Sequence, residues 1–270
     1  PSAGRGGLLT PRTLVLVAFP PEWAAMVPHI ESAEPHRLRG RTVLTGRLSG
    51  RNVILAQTGV SMVNAAMTTQ ALLDRFAVSR IVVSGVAGGL DPANNVGHVL
   101  APARWGQFLE VGMGRATPTG PVLPPLPGAT DLPPFGMMIP RDVIVGHDDQ
   151  SEHERRWFDA DARLLGIARA LEQAHDLTVG GAGLSGTAFV DNAAYRDYLY
   201  ATFGAAVLDM ESAAVAHVAF ANRVPFIIFR SLSDLAGGEA DANHLPDWLE
   251  RACANVSAVT RAFVGLLDQD

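Results

Sequence analysis

An α/β fold, with a mostly parallel sheet covered by helices on both faces, is predicted by three observations. Short β-rich apolar runs stop at prolines or polar residues, stretches with helical apolar spacing lie between them, and this order of strand, helix, strand recurs along 270 residues. The chain is 48% hydrophobic and 18% charged, a balance that supports a large buried core.

The elements follow in order. Residues 13–19 (TLVLVAF) form an apolar run closed by Pro20 and Pro21, as expected of a buried strand that ends in a loop. Residues 22–31 (EWAAMVPHIE) read as a helix. Residues 41–59 contain two strand-like runs around the turn LSG, the pattern of a hairpin. Residues 60–76 carry apolar side chains at helical spacing, and residues 80–89 (RIVVSGVAGG) read as a second buried strand. Further on, residues 206–210 (AVLDM) lead into the helical pattern of residues 211–223. Pro225 then opens the strand PFIIFRSLSD, and residues 247–269 form a final amphipathic helix.

Residues 114–140 break the rhythm with closely spaced prolines, which argues against a helix or a central strand there. This insertion reads as a surface loop, or alternatively as a loop at the mouth of a site or at a subunit contact. With no internal repeat and no second hydrophobic core visible, the expected organisation is one domain over residues 13–268.

Composition narrows the function. The net charge is −6, all basic side chains are arginine, and no basic cluster occurs, so nucleic-acid and membrane-surface partners are not expected. A small-molecule partner is the better expectation. Cys253 is the single cysteine, which leaves no intramolecular disulfide and no cysteine spacing for zinc. No apolar run reaches the roughly 20 residues of a membrane-spanning helix. The chain reads as soluble, with a lean to the cytoplasm; because it begins with Pro1, a processed leader stays open.

In open α/β sheets, ligands bind outside the carboxyl ends of the strands, and Asp209, Glu211, Ser233 and Asp234 lie at such ends. Buried carboxylates are costly unless paired or protonated, so they concentrate at functional sites. Each also has a plainer reading: Glu211 as an acid at a helix start, Asp234 as a capping or turn residue, Glu22 as a solvated acid in a first turn. The glycine-rich turn in residues 84–102 could bring backbone amides close to a ligand, or could be structural. It matches neither the dinucleotide fingerprint nor the phosphate loop, and no lysine exists to complete the latter.

Taken together, AFPPE after the first strand, QTGVSMVNAA, SGVAGGLDP with VGHV, GTAFV, VLDMESAAVAHVA with VPF, and RSLSDLAGG resemble the nucleoside phosphorylase superfamily. Within it, the likeness is nearest to methylthioadenosine/S-adenosylhomocysteine nucleosidases and bark-storage-like relatives. It covers most of the chain outside the insertion. The resemblance implies a single-domain three-layer sandwich with a mixed, mostly parallel central sheet.

The resemblance also implies roles. Asp234 would protonate N7 of the departing purine, with Ser233 holding its side chain. Glu211 would bind ribose hydroxyls, with Met210 packed on the sugar, and Glu22 would position and deprotonate the attacking water. Phe189 would stack on the base while Val190 backbone groups read its edge, and Val86, Ala87 and Gly88 of the glycine turn would line the site. Such chemistry needs an acid near the base and a base near the water, and no cofactor or metal. Family members commonly form homodimers. An acid at position 22, with no arginine beside SGVAGG, favours water over phosphate as nucleophile; phosphorolysis and non-catalytic nucleoside binding are the alternatives.

Departures from the family pattern are Val86 where a serine or threonine is usual, and Ser61 and Met62 where glycine and lysine are commoner. His147 and His153 could be pictured as metal ligands, but a solvated loop and helix start is the plainer reading. His217 reads as a satisfied core or interface histidine.

Overall fold

The computed structural model describes residues 10–147, 151–239 and 242–268. Its first half is built from β1 (Arg12–Val17), α1 (Pro20–Met26), β2 (Glu31–Leu38), β3 (Arg41–Leu48), β4 (Arg51–Gln57), α2 (Met62–Leu73), β5 (Val78–Gly89), β6 (Val99–Ala101) and β7 (Arg104–Gln107). Next comes β8 (Val111–Met113), just before the insertion, which itself contributes β9 (Arg115–Thr117), β10 (Gly120–Val122) and β11 (Met138–Pro140), followed by β12 (Val143–Gly146) and β13 (Glu152–Arg155). The chain continues through β14 (Trp157–Asp159), α3 (Ala162–Arg169), β15 (Leu177–Val179), β16 (Ala182–Ser185), α4 (Ala193–Phe203), β17 (Ala205–Asp209), α5 (Ser212–Ala221), β18 (Phe226–Asp234) and α6 (Leu245–Leu266).

Among the described residues, twelve strands form one mixed sheet whose main path runs β14-β7-β16-β17-β5-β1-β4-β3-β2, with β18, β6 and β15 branching from β5. Long β5 is the hub. It pairs parallel with β1 along one edge and parallel with β18 along the other, and its last residues, Gly88 and Gly89, pair antiparallel with β17. Strands β1 and β18 are buried over nearly their whole length, which explains the apolar runs LVLV and FIIF within them. Helices α2 and α5 pack together on one side of the sheet, while α6 covers β5 and β18 and packs on α1. A smaller apolar cluster, including Phe108, Leu184, Leu199 and Phe203, joins α4 to the β16 and β17 end of the same sheet.

Several local outcomes differ from the sequence expectation. Helix α1 ends at Met26 and passes into a single 3-10 turn, Val27–His29, because Pro28 has no amide to continue it. The following β2 was not expected: its sequence ESAEPHRL is mostly exposed and lacks alternation because it is an edge strand with solvent on both sides. The β3–β4 hairpin turns at Ser49 and Gly50, both with positive φ (49° and 80°), the twist that suits a two-residue hairpin.

The insertion pairs into two small antiparallel ladders, β9 with β10 and its β11 with the preceding β8, outside the main sheet, in keeping with its prolines. It is anchored by Phe135, whose ring lies 4.8 Å from Tyr195 and 5.1 Å from Tyr198 of α4, and by the Tyr198 hydroxyl donating to the Pro133 carbonyl at 2.8 Å. The expected helix start after His147 is instead the β12–β13 hairpin, packed on α5 through Phe220. Asp148, Asp149 and Gln150, part of that expectation, lie outside the described residues, as do Pro1 to Leu9 and Gln269, the last residue of the expected final helix pattern.

Candidate active site

One cavity of about 270 Å³ opens where β1, β5, β17 and β18 end, lined by Glu22, Val86, Ala87, Gly88, Phe189, Val190, Met210, Glu211, Ser233 and Asp234. These are all the residues singled out from the sequence for the site. Ala18, Phe19, Val60, Ala188, Leu208, Asp209 and Leu245 complete the wall, which is largely apolar apart from four carboxylates. Phe189 stands at the mouth, 59% exposed.

Glu22 sits in the first turn of α1, yet it is buried. The two prolines start the helix without spending amides, and the turn points this side chain inward, across the end of β1. One carboxylate oxygen accepts the Ala18 amide at 2.5 Å and the Phe19 amide at 3.3 Å; the other accepts the Val86 amide of β5 at 2.8 Å. Burial raises its pKa above the ordinary carboxylate range, and Arg230 together with the three amides offsets only part of that rise.

Beneath the cavity lies Arg230, 1% exposed in the middle of β18. Its Nε meets Asp209 at 2.7 Å, one terminal nitrogen meets Glu211 at 3.4 Å, and the other approaches Glu22 at 3.7 Å. It also donates to Ser212 Oγ at 3.0 Å and to the Val86 carbonyl at 3.2 Å. Burial alone would lower the guanidinium pKa, but the three acids around it hold it above its ordinary value. One cation thus ties together acids from α1, β17 and the start of α5.

Asp209 and Glu211 divide the work at the β17–α5 junction. Asp209 accepts from Ser185 Oγ at 2.5 Å, from the Glu211 and Ser212 amides at 3.1 and 3.0 Å, and from the Ser212 hydroxyl. With Arg230 added, its oxygens are saturated, so Asp209 caps α5 and braces the turn. Glu211 retains accepting capacity: one oxygen takes the Ser61 amide at 2.9 Å and the other faces Arg230. Burial drives its pKa up to about 7, Arg230 opposes this, and Asp209 adds to it.

At the other end of the cavity, Asp234 closes β18. It accepts the Ala236 amide at 2.9 Å through one oxygen and the Ser233 hydroxyl at 2.9 Å through the other. Burial raises its pKa, which favours a carboxyl that carries a proton to give. A Cβ on Gly88 would lie 3.1 Å from the Asp234 carboxylate, so this position keeps the floor of the pocket open.

A family model of the phosphorylase superfamily matches residues 12–265. The chain belongs to this superfamily. Among curated relatives, the 5'-methylthioadenosine/S-adenosylhomocysteine nucleosidase of Tolumonas auensis is 29% identical over 253 residues, spanning 93% of this chain and 97% of that one. The enzyme of the same name from Halalkalibacterium halodurans is 32% identical over 224 residues, 83% of this chain and 84% of its own. Among solved structures, the nucleosidase of Helicobacter pylori superposes with a TM-score of 0.75 at 22% identity, covering 96% of this chain and all of that one. That likeness carries the superfamily fold.

Within this fold, Arg230 is the participant the sequence reading passed over. Its signal was a lone arginine inside the otherwise apolar run PFIIFRSL, a residue type almost never buried without partners. Ser61, a departure from the family pattern in the sequence, donates its amide to Glu211 and stands at φ 95° and ψ 152°, a region that side-chain-bearing residues rarely adopt. His147 and His153 pack 5.6 Å apart against Phe220, and His147 Nδ1 accepts from Arg223 at 3.2 Å. Among the described residues, no group of three or more histidine, cysteine or acidic side chains is arranged to hold a metal ion. No helix among them is long and apolar enough to cross a membrane. His217 stacks on Phe158 at 4.7 Å.

Proposed function

We propose that the cavity hydrolyses the N-glycosidic bond of a purine nucleoside, 5'-methylthioadenosine or S-adenosylhomocysteine, releasing adenine and the free thioribose sugar. The observation that carries this reading is the placement of two buried carboxylates, Glu22 and Asp234, in different surroundings of one apolar cavity. The names of the curated relatives supply the substrate class.

As the bond to the base lengthens, positive charge develops on the ribose ring and negative charge on the purine. Asp234, biased toward its protonated form, gives a proton to N7, and Ser233 stabilises the carboxylate left behind. Glu22 holds the attacking water and takes its proton as oxygen bonds to C1'. Glu211 accepts hydrogen bonds from ribose hydroxyls, and Met210 packs on the sugar. Phe189 and Val190 hold the base, while the wall of Val86, Ala87 and Gly88 completes the enclosure.

Water rather than phosphate is the nucleophile in this reading. Among the described residues, the cavity wall contains four acids and no arginine or histidine, and Arg230 beneath it already faces three carboxylates. A phosphate dianion would be repelled there. The test is adenine release from methylthioadenosine, S-adenosylhomocysteine, adenosine and inosine, each with and without phosphate. Turnover is expected for the thio-nucleosides independently of phosphate, and Asp234→Asn is expected to lower kcat by about 100-fold or more while still binding nucleoside. Strict phosphate dependence, or full activity of Asp234→Asn, would overturn the mechanism.

A further inference from the structure

Gly85 sits in the interior of β5, buried, with φ outside the left-handed region, so its backbone does not require a glycine. A glycine in a strand interior is normally a loss, because it orders a flexible residue and packs no side chain. Its position in the register explains it. Gly85 is paired with Arg230 of β18, and a Cβ built on it would collide with a terminal nitrogen of Arg230 and an oxygen of Glu22, and would lie 3.0 Å from the Glu22 carboxyl carbon.

The neighbouring backbone belongs to the same arrangement. The Val86 amide donates to Glu22 and the Val86 carbonyl accepts from Arg230, so residues 85–86 form the platform on which acid and guanidinium approach each other at 3.7 Å. We propose that Gly85 is a positioning residue: the side chain it lacks is the space in which Arg230 and Glu22 meet, and this sets where Glu22 holds water. This deepens the hydrolase reading and rests on it for its catalytic consequence, but not for its structural one.

The catalytic arm compares Gly85→Ala with the parent protein. Displacing Glu22 by a fraction of an ångström to an ångström is expected to lower kcat by about 100-fold. Adenine binds at the Asp234 end, which pairs with Gly88 rather than Gly85, about 10 Å along the strand; its Kd is expected to stay within about twofold. Gly166→Ala, on α3 with nothing within 4 Å of the new methyl, serves as the control and is expected to keep both values. An unchanged kcat in Gly85→Ala overturns the proposal, as does a loss of adenine affinity equal to the loss of kcat, which would signal general loosening.

The structural arm reads thermal stability and needs no turnover. Arg230→Gln shortens the side chain over Gly85, so Gly85→Ala is expected to cost much less Tm in that background than in the parent. If Gly85→Ala alone is insoluble, a double variant as soluble as Arg230→Gln supports the proposal, and one that stays insoluble overturns it. Should the parent protein release adenine from no nucleoside, the hydrolase reading fails, while this coupling still decides the role of Gly85.

Discussion

Glu211 shows how burial and one cation set a titration. With a pKa of about 7 against an ordinary value of 4.5, the folded protein holds a proton there that the unfolded chain releases. The folded state therefore binds more protons between these pH values, and its stability falls as pH rises. The contribution is complete below about pH 4.5 and is lost by about pH 7, a difference of about 3 kcal/mol. Glu211→Gln is expected to remove this part of the slope, which denaturant unfolding of both proteins at pH 5 and pH 7.5 will measure. Equal slopes in the two proteins would refute the assignment. At the same residue scale, the acids were legible because carboxylates at strand ends are conspicuous, whereas Arg230 was not, because its three partners come from segments up to about 200 residues away.

The decisive element is the turn from β17 into α5. Asp209 satisfies the first amides of the helix, the hydroxyls of Ser185 and Ser212, and the Arg230 guanidinium. Removing it leaves a buried cation short of its nearest partner, a change that typically costs 3–5 kcal/mol. Asp209→Ala is accordingly expected to lower the free energy of unfolding by about that amount, read by urea titration, with Asp209→Asn losing less because its amide oxygen still accepts. Buried strands such as β1, β5 and β18 announce themselves by short apolar runs, LVLV, IVV and FIIF. Strand β2 and the β12–β13 hairpin do not, since β2 gains order by pairing at the sheet edge and the hairpin by packing on Phe220, and neither buries a continuous face of its own.

For the whole molecule, the proposed assembly is a homodimer. Val60, Val63 and Met67, at and near the start of α2, are 42, 72 and 45% exposed and lie beside the cavity wall that Val60 itself contributes. Exposed apolar groups clustered this way favour association. Light scattering after size exclusion is expected to give close to twice the chain mass of 28.6 kDa, and Val63→Glu to shift it toward the monomer. A monomeric parent protein would refute this part of the reading. The sequence by itself determined the alternation of strands and helices, the acids at the strand ends and the insertion that stays out of the sheet, because apolar periodicity and proline act locally. Only the tertiary structure decided that Glu22, Asp209 and Glu211 share Arg230 and that Gly85 leaves room for the ion pair. Those outcomes depend on which strands become neighbours, and strand order is set by long-range packing that no local pattern records.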